Sequence, residues 1–382
     1  KFLNELVVQF VITLPSNLEF EMSFDADISI SHRNQSVVPF DVAGFTHFVQ
    51  KDSLEIIIFG ADIAGKAVAQ LLKKNGLEIS HFIDNNKNKC SMEIDGKNVL
   101  HSSKLSDLNK TTVVLIASTY IADIISQLES YGFKNWAPIS FIVDHYHGSN
   151  YREIITGDLQ RNHAGDKFTK DFVEFTIENM VNSQKKYLNE TLLFIRSVDL
   201  ILTEKCSLKC KDCSNLMQYY KNPTNIRKQE LIDDLNDLMS VADEVNEIRI
   251  IGGEPLMNKD FHEISTQAAA FQKVKKVVIY TNGTICPPDT KLQQLKNEKI
   301  FVFITTYGEL SRNAERLRRK LEELEIQHNC QPAYGWTECG GIGVWGRTDL
   351  ENTEIFSNCC AKHFTTMTDG KIFRCPFSAN VE

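Results

Sequence analysis

The sequence predicts an α/β protein in which a partial (β/α)6 barrel follows an N-terminal βαβ domain and precedes a short cysteine-rich hairpin. Apolar runs alternate with helical segments between about residues 196 and 335, which favours parallel strands with outer helices. A second alternation of strands and helices covers about residues 51–147. Cysteines cluster after the first strand of the barrel region and again near residue 375.

The barrel region is too short for eight β/α repeats, so we expect an open, partial TIM-like barrel. Ligands gather at the carboxyl ends of strands in such folds, and the motifs described next all lie at those ends. Strands are predicted near residues 197–202, 247–251, 277–281 and 300–305, with helices near 226–242, 259–271, 289–297 and 311–326.

Three cysteines, Cys206, Cys210 and Cys213, lie within one loop after the first barrel strand. Three thiolates so close together can bind one iron–sulfur cluster, and a cluster held by three cysteines leaves one iron open for chemistry. Disulfide bonding is not expected, because three is an odd number and no secretory signal precedes the loop. Zinc is the alternative, since Cys-x2-Cys is also a zinc spacing.

A Gly-Gly-Glu-Pro sequence follows the second strand. Paired glycines permit positive φ and close backbone approach, and Glu254 is a good acceptor for an ammonium group. The alternative is a plain strand-to-helix turn with an N-terminal proline. Threonine and asparagine side chains end the next two strands. The candidate cofactor-binding residues are therefore Gly252, Gly253, Glu254, Pro255, Thr281, Asn282 and Thr305.

The three cysteines, the Gly-Gly-Glu-Pro sequence and the Thr-Asn-Gly strand end together resemble the radical S-adenosylmethionine (SAM) superfamily. The resemblance implies that Cys206, Cys210 and Cys213 bind a [4Fe–4S] cluster and that SAM chelates the fourth iron. It also implies that Gly-Gly-Glu-Pro holds the amino group of SAM. Reductive cleavage of SAM would then yield a 5′-deoxyadenosyl radical that takes hydrogen from the substrate. Asp212 departs from the pattern, because members commonly carry an aromatic residue there that contacts the adenine.

The segment around residue 370 is predicted to form a hairpin with an Asp-Gly turn. Its cysteine and glycine spacing resembles the opening of the SPASM or twitch extension, which implies an auxiliary iron–sulfur cluster. Only seven residues follow Cys375, so we expect at most one such cluster. The alternative is a set of buried free thiols. The candidate auxiliary ligands are Cys339, Cys359, Cys360 and Cys375.

The N-terminal βαβ region is Rossmann-like, with predicted strands at residues 55–60, 77–83 and 112–117 and helices at 66–75 and 121–131. Gly60 and Gly65 fit a phosphate-binding turn, but Asp62 would repel a pyrophosphate, so tight dinucleotide binding is not expected. The region resembles small modules fused to enzymes that tailor cell-surface sugars, which can hold a nucleotide-sugar. The alternative is a module that only packs against a neighbour.

These patterns divide the chain into five predicted segments. Their bounds are 1–50 for a strand-rich segment, 51–147 for the Rossmann-like domain, 148–195 for a helical linker, 196–335 for the partial barrel and 336–382 for the twitch-like region.

Composition restricts the partners of the protein. The chain has 382 residues, of which 42% are hydrophobic and 24% charged, as expected for globular domains. A formal net charge of −8 gives no reason to expect nucleic acid, and no apolar stretch is long enough for a membrane span. Ten cysteines, together with the oxygen-sensitive cofactor that the resemblance implies, favour the cytoplasm.

The expected activity is a radical reaction on a small molecule, a sugar or nucleotide-sugar, giving dehydrogenation, epimerisation or rearrangement. Flavodoxin or ferredoxin would supply electrons. A peptide-modifying maturase is one alternative, and a non-catalytic iron–sulfur sensor is another. The sequence does not assign a catalytic acid, base or hydrogen donor.

Overall fold

The computed structural model describes residues 12–13, 36–147, 151–162, 165–188, 193–333, 338, 341–357, 359, 361 and 364–381. These residues form two compact units. One lies within Phe20–Leu192, and the other combines Lys1–Glu19 with Leu193–Glu382. The first strand of the chain, β1 (Ile12–Thr13), belongs to the sheet of the second unit.

The first unit, the N-terminal module, contains a six-stranded sheet of order β4-β5-β3-β2-β6-β7. Its strands are β2 (Ile56–Phe59), β3 (His81–Asp84), β4 (Glu93–Ile94), β5 (Lys97–His101), β6 (Val113–Ile116) and β7 (Trp136–Pro138). Its helices are α1 (Val42–Lys51), α2 (Ile63–Lys74), α3 (Ile121–Ser130), α4 (Ser140–Tyr146), α5 (Tyr151–Ile155) and α6 (Lys170–Tyr187).

Strands β2 and β6 are buried along their whole length, because helices cover both faces of the sheet. Ile56 and Ile58 pack in the core that contains α2 and α6, whereas Ile57 and Phe59 pack in the core that contains α3. Strand β2 runs parallel to both β3 and β6. The module therefore has the βαβ arrangement predicted from the sequence.

Two parts of the predicted division differ from the structure. The described end of the strand-rich segment 1–50 contains a helix, α1, whose Phe45 and Val49 are buried in the module. The predicted linker 148–195 is helical where it is described. However, its helices place Ile155, Val173 and Ile177 in the module core, so they are part of the module and not a connection.

The second unit has an eight-stranded sheet of order β1-β14-β13-β8-β9-β10-β11-β12. Its further strands are β8 (Phe194–Ile201), β9 (Glu244–Ile251), β10 (Val274–Thr281), β11 (Ile300–Thr306), β12 (His328–Pro332), β13 (Thr365–Thr368) and β14 (Lys371–Phe373). Its helices are α7 (Lys228–Val241), α8 (Phe261–Ala270), α9 (Asp289–Leu292), α10 (Ala314–Glu323), α11 (Asp349–Ser357) and α12 (Pro376–Asn380).

Six strands of this sheet, β13 and β8 to β12, run parallel. Helices α7, α8 and α10 bury Leu235, Ile264 and Leu321 against one of its faces. The sheet ends at β1 and β12 within the described residues and does not close into a ring. An open, TIM-like partial barrel is therefore confirmed, with its sixth parallel strand supplied by the C-terminal hairpin.

The predicted C-terminal hairpin is formed by β13 and β14, which pair antiparallel. Asp369 and Gly370, with φ of 52° and 69°, make the turn, and both positive values fit the tight turns typical of hairpins. Strand β13 pairs parallel with β8, and β1 pairs with β14. The hairpin thus extends the sheet of the second unit.

None of the helices in the described part of the chain is both long and apolar enough to cross a membrane.

Candidate functional site

The cysteine loop, residues 202–216, leaves the carboxyl end of β8 and pairs with the chain that leaves β9. The amide of Gly253 donates to the carbonyl of Thr203 at 2.7 Å, and that of Glu254 donates to Lys205 at 2.8 Å. The amide side chain of Asn215 donates to the carbonyl of Gly252 at 2.8 Å. The two motifs are therefore one hydrogen-bonded structure.

Both glycines of the Gly-Gly-Glu-Pro sequence are required by this pairing. Gly252 has a φ of 131°, and a Cβ there would lie 2.3 Å from the carbonyl oxygen of Thr203. A Cβ on Gly253 would lie 2.1 Å from the carbonyl oxygen of Lys205. Close backbone approach was predicted toward a ligand, and the structure shows it toward the cysteine loop. Whether SAM also contacts these glycines stays a prediction.

The three cysteines of the loop are half-buried and near one another. Burial raises the pKa of Cys206 to about 11, and the charges of Glu254, Cys213 and Cys210 add to the rise. Burial and Cys213 also raise the pKa of Cys210. Cys206 and Cys210 therefore hold their protons more firmly than free thiols, and a bound metal centre would favour their thiolate forms.

A cluster fits this donor set. Zinc, the alternative, would need every thiolate about 2.3 Å from one centre. An iron–sulfur cluster binds each cysteine through a different iron, so its ligands need not meet at one point.

Glu254 joins the ends of three strands and is fully buried. Its Oε1 accepts from the Thr281 hydroxyl at 2.8 Å and from the Leu256 amide at 3.1 Å, and its Oε2 accepts from the Asn282 amide at 2.8 Å. Burial raises the pKa of Glu254 to about 7, against the lowering effect of these donors. Every one of the three donors is uncharged.

Asn282 links β10 to the cysteine loop. Its side-chain nitrogen lies 3.1 Å from the Ser207 hydroxyl and 3.9 Å from the Cys206 sulfur. Ser207 also contacts the Thr284 hydroxyl at 2.5 Å. The structure thus brings Thr281 and Asn282 together with the cysteines, as expected for adjacent parallel strands.

Pro255 and Thr305 occupy less informative positions. Pro255 is buried and begins a short 3-10 turn, Pro255–Met257. Thr305 lies near the end of β11, half-buried, opposite Gln331 of β12.

Tyr307 was missed by the sequence analysis. Burial raises the pKa of its hydroxyl to about 12, and the charges of Cys210, Cys213 and Cys206 raise it further, so it lies beside the cysteine loop. Its position directly after the two threonines of a strand end was the available signal.

The candidate auxiliary ligands are only partly described. Cys339 and Cys360 lie outside the described residues. Cys359 and Cys375 are half-buried free cysteines. Cys375 precedes α12, and its sulfur lies 3.6 Å from the Ser378 hydroxyl. An auxiliary cluster at these four positions stays a prediction.

The N-terminal module has its own polar strand end, formed by Ala61, Asp62, Asp84 and Lys89. Asp84 is buried and accepts from the amides of Ala61 at 3.0 Å and Asn86 at 2.8 Å. The Lys89 ammonium pairs with Asp84 at 3.1 Å and with Asp62 at 2.5 Å. Asp62, expected to repel a pyrophosphate, is therefore neutralised by a lysine of the chain itself.

Two family models match the chain. Residues 200–324 match the radical SAM superfamily, and residues 52–139 match the family described as C2185-like, N-terminal. The first match covers the cysteine loop, the Gly-Gly-Glu-Pro sequence and the strand ends after it. The second covers most of the N-terminal module.

Several curated relatives are named GTP 3′,8-cyclase. The mitochondrial protein of Arabidopsis thaliana is 34% identical over 84 residues, covering 22% of this chain and 21% of its own length. The Clostridium acetobutylicum protein is 27% identical over 133 residues, covering 31% and 41%. That of Stenotrophomonas maltophilia K279a is 37% identical over 90 residues, covering 23% and 27%. The chain thus spans less than half of each of these relatives.

Similar solved structures are distant. BtrN in complex with AdoMet and 2-DOIA has a TM-score of 0.36 and 16% identity, covering 48% of this chain and 74% of its own. Streptococcus suis SuiB bound to S-adenosylmethionine has a TM-score of 0.32 and 15% identity, covering 63% and 52%.

Proposed function

We propose that this protein, whose residues 200–324 match the radical SAM superfamily, is an enzyme that uses radical chemistry on a sugar or nucleotide-sugar. The observation that carries the proposal is the hydrogen-bonded structure formed by the cysteine loop, Glu254 and Asn282 at one end of the parallel sheet. An iron–sulfur cluster held by Cys206, Cys210 and Cys213 would supply the one-electron reduction that radical chemistry with SAM requires.

The residues of the chain would divide the work of binding. Cys206, Cys210 and Cys213 would hold the cluster. Glu254, kept in place by Thr281 and Asn282, would accept the ammonium of SAM in a charge-assisted hydrogen bond. The remaining contacts to SAM would come from the strand ends and include Gly252, Gly253, Pro255 and Thr305.

Tyr307 is proposed as the aromatic contact to adenine. Asp212 stands where related enzymes commonly carry an aromatic residue, and the tyrosine lies beside the same loop. Its ring provides the flat apolar surface on which an adenine stacks.

A sugar-bearing substrate is supported by two features. The relatives that resemble the cysteine-loop segment are named for a nucleotide substrate, GTP, which contains a ribose. The N-terminal module resembles modules of enzymes that tailor sugars. GTP itself is the second candidate, because those relatives are named for it. It ranks second because the similarity to them lies in the segment that would bind SAM.

A peptide-modifying maturase and a non-catalytic sensor both receive less support from the structure. A maturase would be expected to carry a winged-helix module for a leader peptide, but the described module is a parallel α/β sheet. A sensor would not need the buried carboxylate and its three donors.

An auxiliary cluster is proposed at some of Cys339, Cys359, Cys360 and Cys375. It would exchange the second electron of a dehydrogenation or epimerisation. Flavodoxin or ferredoxin would reduce the cluster at the cysteine loop.

Anaerobic reconstitution of cysteine variants tests the cofactor assignment. We expect Cys206→Ala to abolish formation of 5′-deoxyadenosine from SAM and dithionite, because one cluster ligand is lost. Cys375→Ala should lower iron content and keep part of the cleavage. Cys90→Ala, a half-exposed cysteine of the module, is the control and should match wild type. Full cleavage by the Cys206→Ala protein would refute the mechanism.

Substrate class is tested by anaerobic turnover with nucleotide-sugars, with GTP and with a mixture of peptides. Consumption of a nucleotide-sugar in step with 5′-deoxyadenosine formation is expected. Consumption of GTP or a peptide in its place would replace the proposed substrate class and leave the radical mechanism standing.

A further inference from the structure

In the eight-stranded sheet of the second unit, the face opposite the helices carries a polar row. The proposed cofactor site does not use these residues. Thr366 on β13, Asp199 on β8 and Arg249 on β9 are direct neighbours in register. Their chain neighbours pack in the helix-covered core, so these three side chains share the other face. Those core neighbours are Val198, Leu200, Ile248, Ile250 and Met367.

Three oxygens of this row are buried without a hydrogen bond to any residue that the structure describes. Asp199 is 0% exposed, and its Oδ1 lies 3.2 Å from the guanidinium of Arg249, but neither carboxylate oxygen makes a hydrogen bond within the described part of the chain. Thr366 is also 0% exposed, and its hydroxyl has no hydrogen-bond partner among the described residues. Buried polar groups are nearly always satisfied, and each exception calls for an explanation such as a ligand.

Aromatic rings and Arg249 lie beside the row. The Arg249 guanidinium lies 4.9 Å from the Tyr280 ring and 4.4 Å from the Phe364 ring. Tyr280 packs against Phe303 at 5.4 Å between ring centroids. Arg249, Tyr280 and Phe303 are all partly exposed, whereas Asp199 beside them is fully buried.

The distance between the polar row and the cysteine loop is one that a single substrate molecule could span. Thr203, where the loop begins to pair with Gly253, follows Asp199 by four positions along the chain. At about 3.3 Å per residue, Asp199 lies roughly 13 Å below that point along β8. A molecule the size of a nucleotide-sugar spans such a distance.

The charges of this face do not favour a phosphate chain. Asp199 faces Arg249, and Glu247 lies on the same face, 3.3 Å from the Ser197 hydroxyl and 3.4 Å from that of Tyr280. Burial raises the pKa of Asp199 to about 6, although Arg249 lowers it. The arginine charge is thus already opposed by carboxylates, and a ligand group without net charge is the better fit.

We propose that Asp199, Thr366, Arg249 and Tyr280 bind an uncharged, hydroxyl-bearing ring of the substrate. Ring hydroxyls would hydrogen-bond to the free carboxylate oxygen of Asp199 and to the Thr366 hydroxyl, while the ring face packs on Tyr280. The assignment rests on the proposed function, because it places the hexose of a nucleotide-sugar between this row and the cysteine loop.

The test uses the reconstituted protein with SAM and a panel of UDP-glucose, UDP-N-acetylglucosamine, GDP-mannose and GTP. Saturation-transfer NMR should show contact with the hexose protons of at least one nucleotide-sugar. Thr366→Val should weaken binding of that probe roughly five- to tenfold, the effect of one hydrogen bond. The melting temperature of the free variant should not fall, because valine removes an unsatisfied buried hydroxyl.

Asp199→Asn is the second variant and should weaken binding at least as much. The matched control is Asp234→Asn, which removes another buried acid of the same unit that contacts the hairpin at Gly370. This control should lose stability and keep its affinity.

Three results would overturn the assignment. The first is the absence of saturation transfer to hexose protons for every member of the panel. The second is unchanged affinity in Thr366→Val. The third is a fall in the melting temperature of that variant, which would mean that Thr366 has a structural role or binds a water. Cleavage of SAM without substrate is measured in wild type as a separate check on the proposed function. If wild type does not cleave SAM, the proposed function fails, whatever the result for hexose binding.

Discussion

In each unit, a glycine and a buried carboxylate lie at the carboxyl ends of parallel strands. The two arrangements are similar in structure but differ in charge. In the N-terminal module, Gly60 leaves β2 with a φ of 117°, and buried Asp84 accepts backbone amides at the end of β3. In the second unit, Gly252 follows β9 with a φ of 131°, and buried Glu254 accepts hydrogen bonds from the end of β10. Each glycine allows a close backbone contact that a side chain would block.

The counter-charge distinguishes the two sites. Asp84 has an ammonium of its own chain, Lys89, within 3.1 Å. The described hydrogen bonds of Glu254 come from two amides and one hydroxyl, all neutral. A buried carboxylate with an internal cation is satisfied by the fold, whereas one held by neutral donors can still gain from a charged ligand. The comparison favours Glu254 of the second unit, and not Asp84 of the module, as the site for a cationic ligand.

The largest expected effect is that of Gly253→Ala. Its Cβ would lie 2.1 Å from the Lys205 carbonyl, so the cysteine loop must move, and we expect nearly complete loss of cluster iron after reconstitution. Gly65→Ala is the matched variant in the module, where a Cβ would lie 1.9 Å from the Gly60 carbonyl. It should destabilise the module by roughly 1–3 kcal/mol and leave the iron content unchanged. Equal iron loss in both variants would contradict this separation.

The next effect is on SAM affinity. Glu254→Gln keeps the shape of the side chain but removes the charge, and it should weaken SAM binding roughly ten- to hundredfold with cluster iron retained. Equilibrium dialysis with labelled SAM measures the change. Asp84→Asn is the control and should bind SAM like wild type. Wild-type affinity in Glu254→Gln would mean that the ammonium is bound elsewhere.

The smallest effect is expected for Lys89→Met. Two carboxylates lose their cation, so the module should be destabilised by roughly 1–3 kcal/mol, measured as faster hydrogen exchange in β2 and β6. Burial lowers the pKa of Lys89, but Asp62 and Asp84 outweigh it, and the net pKa is raised. The wild-type advantage should therefore be complete at neutral pH and disappear as pH rises above about 10.5. An advantage that persists at higher pH would contradict the ion-pair explanation.

Local patterns predicted much of the fold and the site. Apolar runs such as Ile56–Phe59 are long enough to indicate buried parallel strands, and parallel strands align their carboxyl ends. That alignment is why Cys206, Glu254 and Asn282 could be expected together before their contacts were known. The Asp-Gly turn likewise predicted the hairpin from neighbouring residues alone.

Features that depend on distant partners were not predictable in the same way. Nothing local to Thr365–Thr368 specifies that it pairs with β8, more than 150 residues earlier. The role of Gly253 depends on where the Lys205 carbonyl lies, and sequence spacing does not give that position. Asp199 was overlooked although an acid inside an apolar strand was a visible signal. Strand β12 forms an edge of the sheet within the described residues, although its polar residues His328 and Asn329 are buried.

The pairing of β13 with β8 has a consequence for biosynthesis. Until the hairpin leaves the ribosome, the strand that precedes the cysteine loop has β9 on one side and an exposed edge on the other. Open edges invite pairing with other chains, and nascent proteins are most vulnerable at that stage. The cysteine loop would therefore rest on a complete sheet only after β13 and β14 have been synthesised.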